Sequence, residues 1–175
     1  MAKILSFDIS ANPGVALIEI KNGKPSLLAV DHLETDAKHT DAQRYAIIEA
    51  WATQFIYDNK ATDAQVIREK FIKGGSKRAT QLVFGAWSSI DRSLMTFGMT
   101  AEGKNEIVAS RVKKYVGGKG GAKKDEVADG VIRMIGEDVR PLLFTERVKL
   151  LDDRADAIAI GIAWAIENKL IKEAE

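Results

Sequence analysis

Asn22-Gly23 sits between two apolar runs, Val15 to Ile20 and Ser26 to Leu33. An Asn-Gly pair in that setting is the strongest short-range hairpin signal, because the tight turn needs positive φ at both residues. The flanking runs must then be antiparallel neighbours. Upstream, Lys3 to Ile9 (Lys-Ile-Leu-Ser-Phe-Asp-Ile) reads as a short buried strand, and Ser10 to Gly14 is turn chemistry. The chain therefore opens with a three-stranded antiparallel meander.

Beyond the meander the apolar period changes. Tyr45, Ile48, Ala52, Phe55 and Ile56 share one face of a helix expected near Asp41 to Asn59. Ala64 to Glu69 reads as a fourth strand. A second long helix is expected from Lys77 to Met99, with Leu82, Val83, Ala86, Trp87, Ile90, Leu94 and Phe97 as a broad apolar stripe. Ile107 to Val112 reads as a fifth strand and Gly117 to Gly121 as a mobile loop. Helices follow near Lys123 to Ile135 and Asp153 to Leu170. A meander followed by strand–helix alternation predicts an α/β fold: a five-stranded mixed sheet, the antiparallel meander plus two parallel strands, flanked by helices.

The 175 residues suffice for a single domain over 1–175, and no internal repeat or linker divides them. There are no cysteines, which removes disulfides, thiolate metal sites and thiol nucleophiles. The first apolar run is too short for a signal peptide or a membrane span, so a cytoplasmic protein with no membrane partner is expected. Net charge is only +1. The charge is uneven, however: Lys104, Arg111, Lys113, Lys114, Lys119, Lys123 and Lys124 face a single opposing acid, Glu106, within their stretch. Such a segment is either a phosphate-binding surface or a solvated loop.

The acids are placed more tellingly. Asp8 ends an apolar strand, where a carboxylate is costly unless paired or bound to a cation, the alternative being an edge residue in solvent. Glu69 ends the fourth strand, which belongs beside the first; its alternative is a surface pair with Arg68 or Lys70. Asp153 and Asp156, three apart, share one face at the start of an otherwise apolar helix. Asp152 or Asp153 also suits a helix N-cap. Acids converging from three segments repel one another unless cations fill the cluster, and an all-oxygen site suits Mg²⁺ or Mn²⁺. His32 and His39 make no evident metal pair with these acids and no Ser–His–Asp arrangement. Gly-Gly-Lys-Gly-Gly (117–121) is no P-loop, since it lacks the Gly-Lys-Ser/Thr ending.

These residues resemble the RuvC family of Holliday junction resolvases, including its shorter bacteriophage members, from Ile4 to about Asn168. Asp-Arg-Ala-Asp-Ala-Ile-Ala-Ile-Gly-Ile-Ala (153–163) is similar to the family's final motif, Leu-Ser-Phe-Asp-Ile-Ser (5–10) to its first, and Ile-Arg-Glu-Lys-Phe (67–71) to the one holding its glutamate. Val-Lys-Lys-Tyr-Val-Gly-Gly (112–118) and Ala-Lys-Lys-Asp-Glu-Val (122–127) resemble the stretch with two functional lysines. One departure is clear: many members follow the first aspartate with Pro-Gly, whereas here Ile9-Ser10 follow and Pro13-Gly14 lie downstream.

The resemblance implies an RNase H-like nuclease domain and a metal-dependent endonuclease that resolves four-way DNA junctions in recombination and repair. It implies paired symmetric nicks leaving 5′-phosphate and 3′-hydroxyl ends. Asp8, Glu69, Asp153 and Asp156 would hold two Mg²⁺ ions, with Mn²⁺ as an alternative and no small-molecule cofactor. Lys124 would act at the reacting phosphate, while Lys113, Lys114, Lys119 and Lys123 would bind DNA; either member of the pairs 113/114 and 123/124 fits by position. Phe71 is an aromatic near the junction centre or a core residue. Part of the 77–99 stripe would form a homodimer interface. The setting would be the cytoplasm of a bacterium or a phage-infected host. Three other readings share some of these features: an RNase H-like nuclease acting on other branched DNA or RNA-containing substrates, an inactive junction-binding module, and an actin-like sugar kinase, for which the chain is too short.

Overall fold

The computed structural model describes residues 1–71, 75–101 and 103–171. Five strands, β1 (Ala2–Asp8), β2 (Gly14–Lys21), β3 (Lys24–His32), β4 (Gln65–Glu69) and β5 (Glu106–Ile107), form one sheet in the order β3-β2-β1-β4-β5. β1–β2 and β2–β3 are antiparallel, while β1–β4 and β4–β5 are parallel. This is the mixed sheet expected from the order of elements, and the RNase H-like arrangement that the resemblance implies. The hairpin turn has Asn22 at φ 54° and Gly23 at φ 74°, as the Asn-Gly pair requires. One irregularity interrupts it. Ile18 faces Leu27 but Leu17 faces Ala29, so Leu28 is an extra, bulged residue.

The centre of the sheet is covered on both faces, which is why Ile4–Phe7 of β1 and Gly14–Ile18 of β2 are buried without alternation, whereas edge strand β3 has no fully buried residue. On one side Leu5, Phe7, Val15, Leu17 and Val66 bury against Ile48, Ala52 and Ile56 of α1 (Asp41–Asp58) and Ala86, Ile90 and Leu94 of α2 (Lys77–Thr96). On the other, Ile4, Ala16, Ile18 and Ile67 meet α6 (Asp152–Glu167), with α3 (Ala109–Gly117) and α4 (Lys124–Ile135) packed outside it. Every residue of α6 from Ala157 to Ile166 is buried. Such a helix is apolar all round because it is central.

Two expectations are corrected. The strand expected over Ile107 to Val112 stops at Ile107, and helix α3 begins at Ala109. Val112 and Val116, four residues apart, face the core there, so burial at helical spacing overrides β-branched propensity. Helix α2 ends at Thr96 rather than Met99. Gly98 takes φ 68°, and the N–H groups of Gly98 and Met99 donate to Met95 and Leu94 carbonyls, a Schellman stop. The segment between α4 and α6 also holds a short helix, α5 (Arg140–Leu143), and a bridge between Phe144 and Leu150 that periodicity does not reveal. No helix of the described residues is long and apolar enough to cross a membrane.

Candidate active site

Strand alternation and register decide where the acids point. In β1, Ile4, Ser6 and Asp8 share the face covered by α6. Phe7 lies opposite Arg68 of parallel β4, so Glu69 is level with Asp8, on the face of Ile67. On the other side Asp8 pairs with Gly14, and Gly14 with His32. Helix α6 then delivers Asp153 and Asp156 to this end of the sheet. It can approach because β2 begins with glycine: a Cβ on Gly14 would meet the Asp153 carbonyl carbon at 2.7 Å. One turn on, buried Ser6 donates its hydroxyl to the Ala157 carbonyl at 2.7 Å, tying the helix to β1.

The four carboxyls feel one another. Burial, then the charges of Asp156, Glu69 and Asp153, push Asp8 well above the usual carboxylate range, against a smaller opposing effect of Lys124. Asp156 is pushed up to about 6, chiefly by burial, with Lys124 opposing and Asp152 and Asp153 adding to the rise. Glu69 is raised by burial and Asp156 and lowered by Lys113. Asp153 is raised by burial and Asp152. The cluster is therefore short of positive charge.

The donor set is carboxylate oxygen throughout, the kind that hard divalent cations take, and a cation would relieve both its burial and its repulsion. Among the described residues no three His, Cys, Asp or Glu side chains stand as a ready metal cage. The acids lie within electrostatic reach of one another rather than on a shared point.

A cleft of about 220 Å³ adjoins the acids, lined by Glu69 and Asp156 and by Lys113 of α3 and Lys124 of α4, over Val112, Val127 and Ile160. Lys124 is ion-paired with Asp152, and its Nζ lies 4.0 Å from Asp156. Of the other basic candidates, Lys114 stands over the Tyr115 ring, Lys119 pairs with Glu126, and Lys123 is the cap residue before α4, its backbone N–H donating to Glu126. None of these three lines the cleft. A larger hollow of about 440 Å³ between β3, α1 and α5 includes none of the four acids.

Several alternatives are now decided by geometry. Glu69 is not the partner of Arg68, which instead bonds Asp91 and Glu106 at 3.0 and 3.2 Å beneath the Trp87 ring. Neither Asp152 nor Asp153 caps α6. Leu151 occupies the cap position with no side-chain bond, and Asp152 is the first helical residue. Phe71 is half-buried and meets Phe84 and Trp87 edge-on, with centroids 5.0 and 6.5 Å away. His32, set aside on sequence, lies close enough to lower the Asp153 carboxyl and accepts a bond from Arg154 at 2.9 Å. Its position opposite Gly14 follows from the hairpin register only once the bulge is counted.

No protein-family model matches the chain. Among curated proteins, the RuvC crossover junction endodeoxyribonuclease of Brachyspira hyodysenteriae is 27% identical over 165 residues, covering 93% of this chain and 92% of the relative. That of Campylobacter jejuni is 29% identical over 166 residues, covering 93% and 95%. Among solved structures, T. thermophilus RuvC in complex with a Holliday junction substrate aligns with a TM-score of 0.78 at 19% identity, over 97% of this chain and 96% of that one. Thermus thermophilus RuvC in a second structure aligns with a TM-score of 0.72 at 17% identity. Similarity of this extent, to the crossover junction endodeoxyribonucleases in sequence and to RuvC in fold, marks the chain as RuvC-like.

Proposed function

We propose that the chain is a Holliday junction resolvase, a divalent-metal-dependent endonuclease whose single nuclease domain spans 1–175. It cuts four-way DNA by paired symmetric nicks that leave 5′-phosphate and 3′-hydroxyl ends. The observation that carries this reading is that Asp8, Glu69, Asp153 and Asp156, from three distant segments, lie within electrostatic reach of one another at one end of the sheet, where Glu69 and Asp156 line a cleft with Lys113 and Lys124. Burying mutually repelling carboxylates is destabilising and has no structural use on its own. The names of the relatives, and the Holliday junction held by the Thermus structure, favour four-way DNA over RNA hybrids.

Asp8, Glu69, Asp153 and Asp156 would hold two ions, Mg²⁺ in the cell with Mn²⁺ as a substitute. When bound, such ions activate a water and stabilise the departing 3′ oxygen. Lys124 sits between Asp152 and Asp156, where an entering phosphate can exchange with Asp152 as its partner and have its charge offset. Lys113, on the cleft wall with Glu69, holds the same strand. Lys114, Lys119 and Lys123 grip flanking phosphates, contacts that position DNA without reading its sequence. Phe71, two residues past Glu69 and backed by Phe84 and Trp87, offers an aromatic surface to a base opened at the junction centre.

Two equivalent strands call for two sites, which a two-fold dimer supplies. Phe84 and Met95 of α2 are 53% and 70% exposed and provide apolar surface for it. A monomer in sedimentation at micromolar concentration counts against the dimer.

The test is a labelled synthetic four-way junction with Mg²⁺, compared with duplex of the same sequence. Paired symmetric nicks, absent in Asp8→Asn while junction binding persists, support the reading. Binding without cleavage in Mg²⁺ or Mn²⁺ makes the chain a junction-binding module instead.

A further inference from the structure

The first turn of α6 carries two of the four acids and lacks what usually holds a helix start in place. Its cap residue, Leu151, offers no side-chain acceptor. The acids there repel their neighbours, and helix ends are the parts that fray. Yet one side chain of this turn is tied down from three directions.

Arg154 lies between Asp153 and Asp156 and is 22% exposed. Its Nε donates to His32 Nδ1 at 2.9 Å. One terminal nitrogen donates to the Leu142 carbonyl of α5 at 3.1 Å, and the other stands 3.5 Å from Asp31 Oδ1. The second oxygen of Asp31 accepts from Trp51 Nε1 of α1 at 2.9 Å, so that anchor is itself held. His32 is fixed by strand pairing with Gly14, the neighbour of Asp8. The Leu151 N–H donates to the Leu143 carbonyl at 2.8 Å, joining the same corner of α5 to the helix entrance. A guanidinium reaches these three separated groups from three different nitrogens in a fixed planar fork, two by hydrogen bond and Asp31 by ion pairing; an ammonium has all its donors on one atom at the end of a flexible stem.

We propose that Arg154 is a positioning residue: through His32, Asp31 and the Leu142 carbonyl it clamps the first turn of α6 to the end of β3. It thereby fixes Asp153 and Asp156 relative to Asp8. Arg154 itself touches neither substrate nor ion. The clamp deepens the proposed metal-dependent reading, and its test separates the two.

Hydrogen exchange over residues 151–158 of the metal-free protein, and Mn²⁺ binding by calorimetry, are measured for wild type, Arg154→Gln and Arg154→Lys. Both variants are expected to exchange faster in the first turn of α6 with the rest of the chain unchanged. Both are expected to bind Mn²⁺ about 10-fold more weakly, the usual scale for removing a group that orients metal ligands. Protection unchanged from wild type overturns the clamp, as does faster exchange with wild-type Mn²⁺ affinity. Wild-type behaviour of Arg154→Lys beside a weakened Arg154→Gln also overturns it, because charge alone would then suffice. Should Arg154→Gln not fold, His32→Ala removes one of the three ties and is expected to shift both readouts in the same direction by less. A wild type that binds no Mn²⁺ refutes the ion-binding reading of the acids, and the exchange data still decide the clamp.

Discussion

A Cβ on Gly14 would stand 2.1 Å from the carbonyl oxygen of Asp153. Glycine is needed there for space and not for a positive φ, since its backbone lies in an ordinary strand pairing with Asp8. Gly14→Ala must therefore move the start of α6. The expected cost is about 1–3 kcal/mol, typical of overpacking. Junction cleavage should fall far more than stability, because Asp153 moves with the backbone. Thermal melts beside cleavage rates check this; wild-type cleavage in Gly14→Ala would show that the approach of α6 is not needed.

The acid cluster makes the metal-free protein sensitive to pH in a definite direction. Asp156 titrates at about 6 in the folded chain, above its ordinary 3.8. The fold therefore binds the proton more tightly than the unfolded chain does. Its stabilising contribution is complete below the ordinary value and is lost as pH rises through 6. In EDTA at pH 7, Asp156→Asn should be more stable than wild type by about 1–3 kcal/mol, the upper end being reduced because the side chain is 29% exposed. That is roughly a 2–10 °C rise in Tm, which should vanish at pH 4 and narrow when Mg²⁺ is added. Equal melting of the two proteins at pH 7 would show that the carboxyl is not under strain.

The lysines should separate by position. Lys124→Gln is expected to lower cleavage about 100-fold or more with little change in junction affinity, since Lys124 borders the acids. Lys114→Gln, on the outer side of α3, should change junction affinity slightly and reduce its salt dependence, leaving the rate at saturation intact. Rates at saturating protein and binding curves at two salt concentrations distinguish these effects.

Arg68 marks the opposite face of β4. Its side chain is 11% exposed and serves Asp91, Glu106 and the Trp87 ring together. Arg68→Ala should cost about 3–5 kcal/mol, because Glu106 is left partly buried without its partner. Urea unfolding measures this, and a change under 1 kcal/mol would show the network to be dispensable.

Much of the fold was legible because local and tertiary signals agree. The Asn22-Gly23 turn, the apolar strands and the Asp153–Asp156 spacing each say in isolation what the structure says together. Where they disagree, tertiary packing overrides the local signal. Val112 looks like a strand residue and is helical because it and Val116 fit the space beside α6. The lysine pairs were indistinguishable by position, since which member borders the cleft depends on where α3 and α4 begin, and a helix turns by about 100° per residue. Arg154 and His32 carry no motif; their meeting depends on two elements distant in the chain.

Leu28 settles a question of chemistry from well outside the acid cluster. Were β2 and β3 to pair without this one extra residue, the register running from Lys21 and Lys24 would set Asp31 opposite Gly14, and His32 would pass beyond the sheet's end. A further carboxylate would then point toward α6, among groups already raised by mutual repulsion, and Arg154 would lose its imidazole partner. The bulge thus gives the acid cluster an aromatic nitrogen as its neighbour in place of another negative charge.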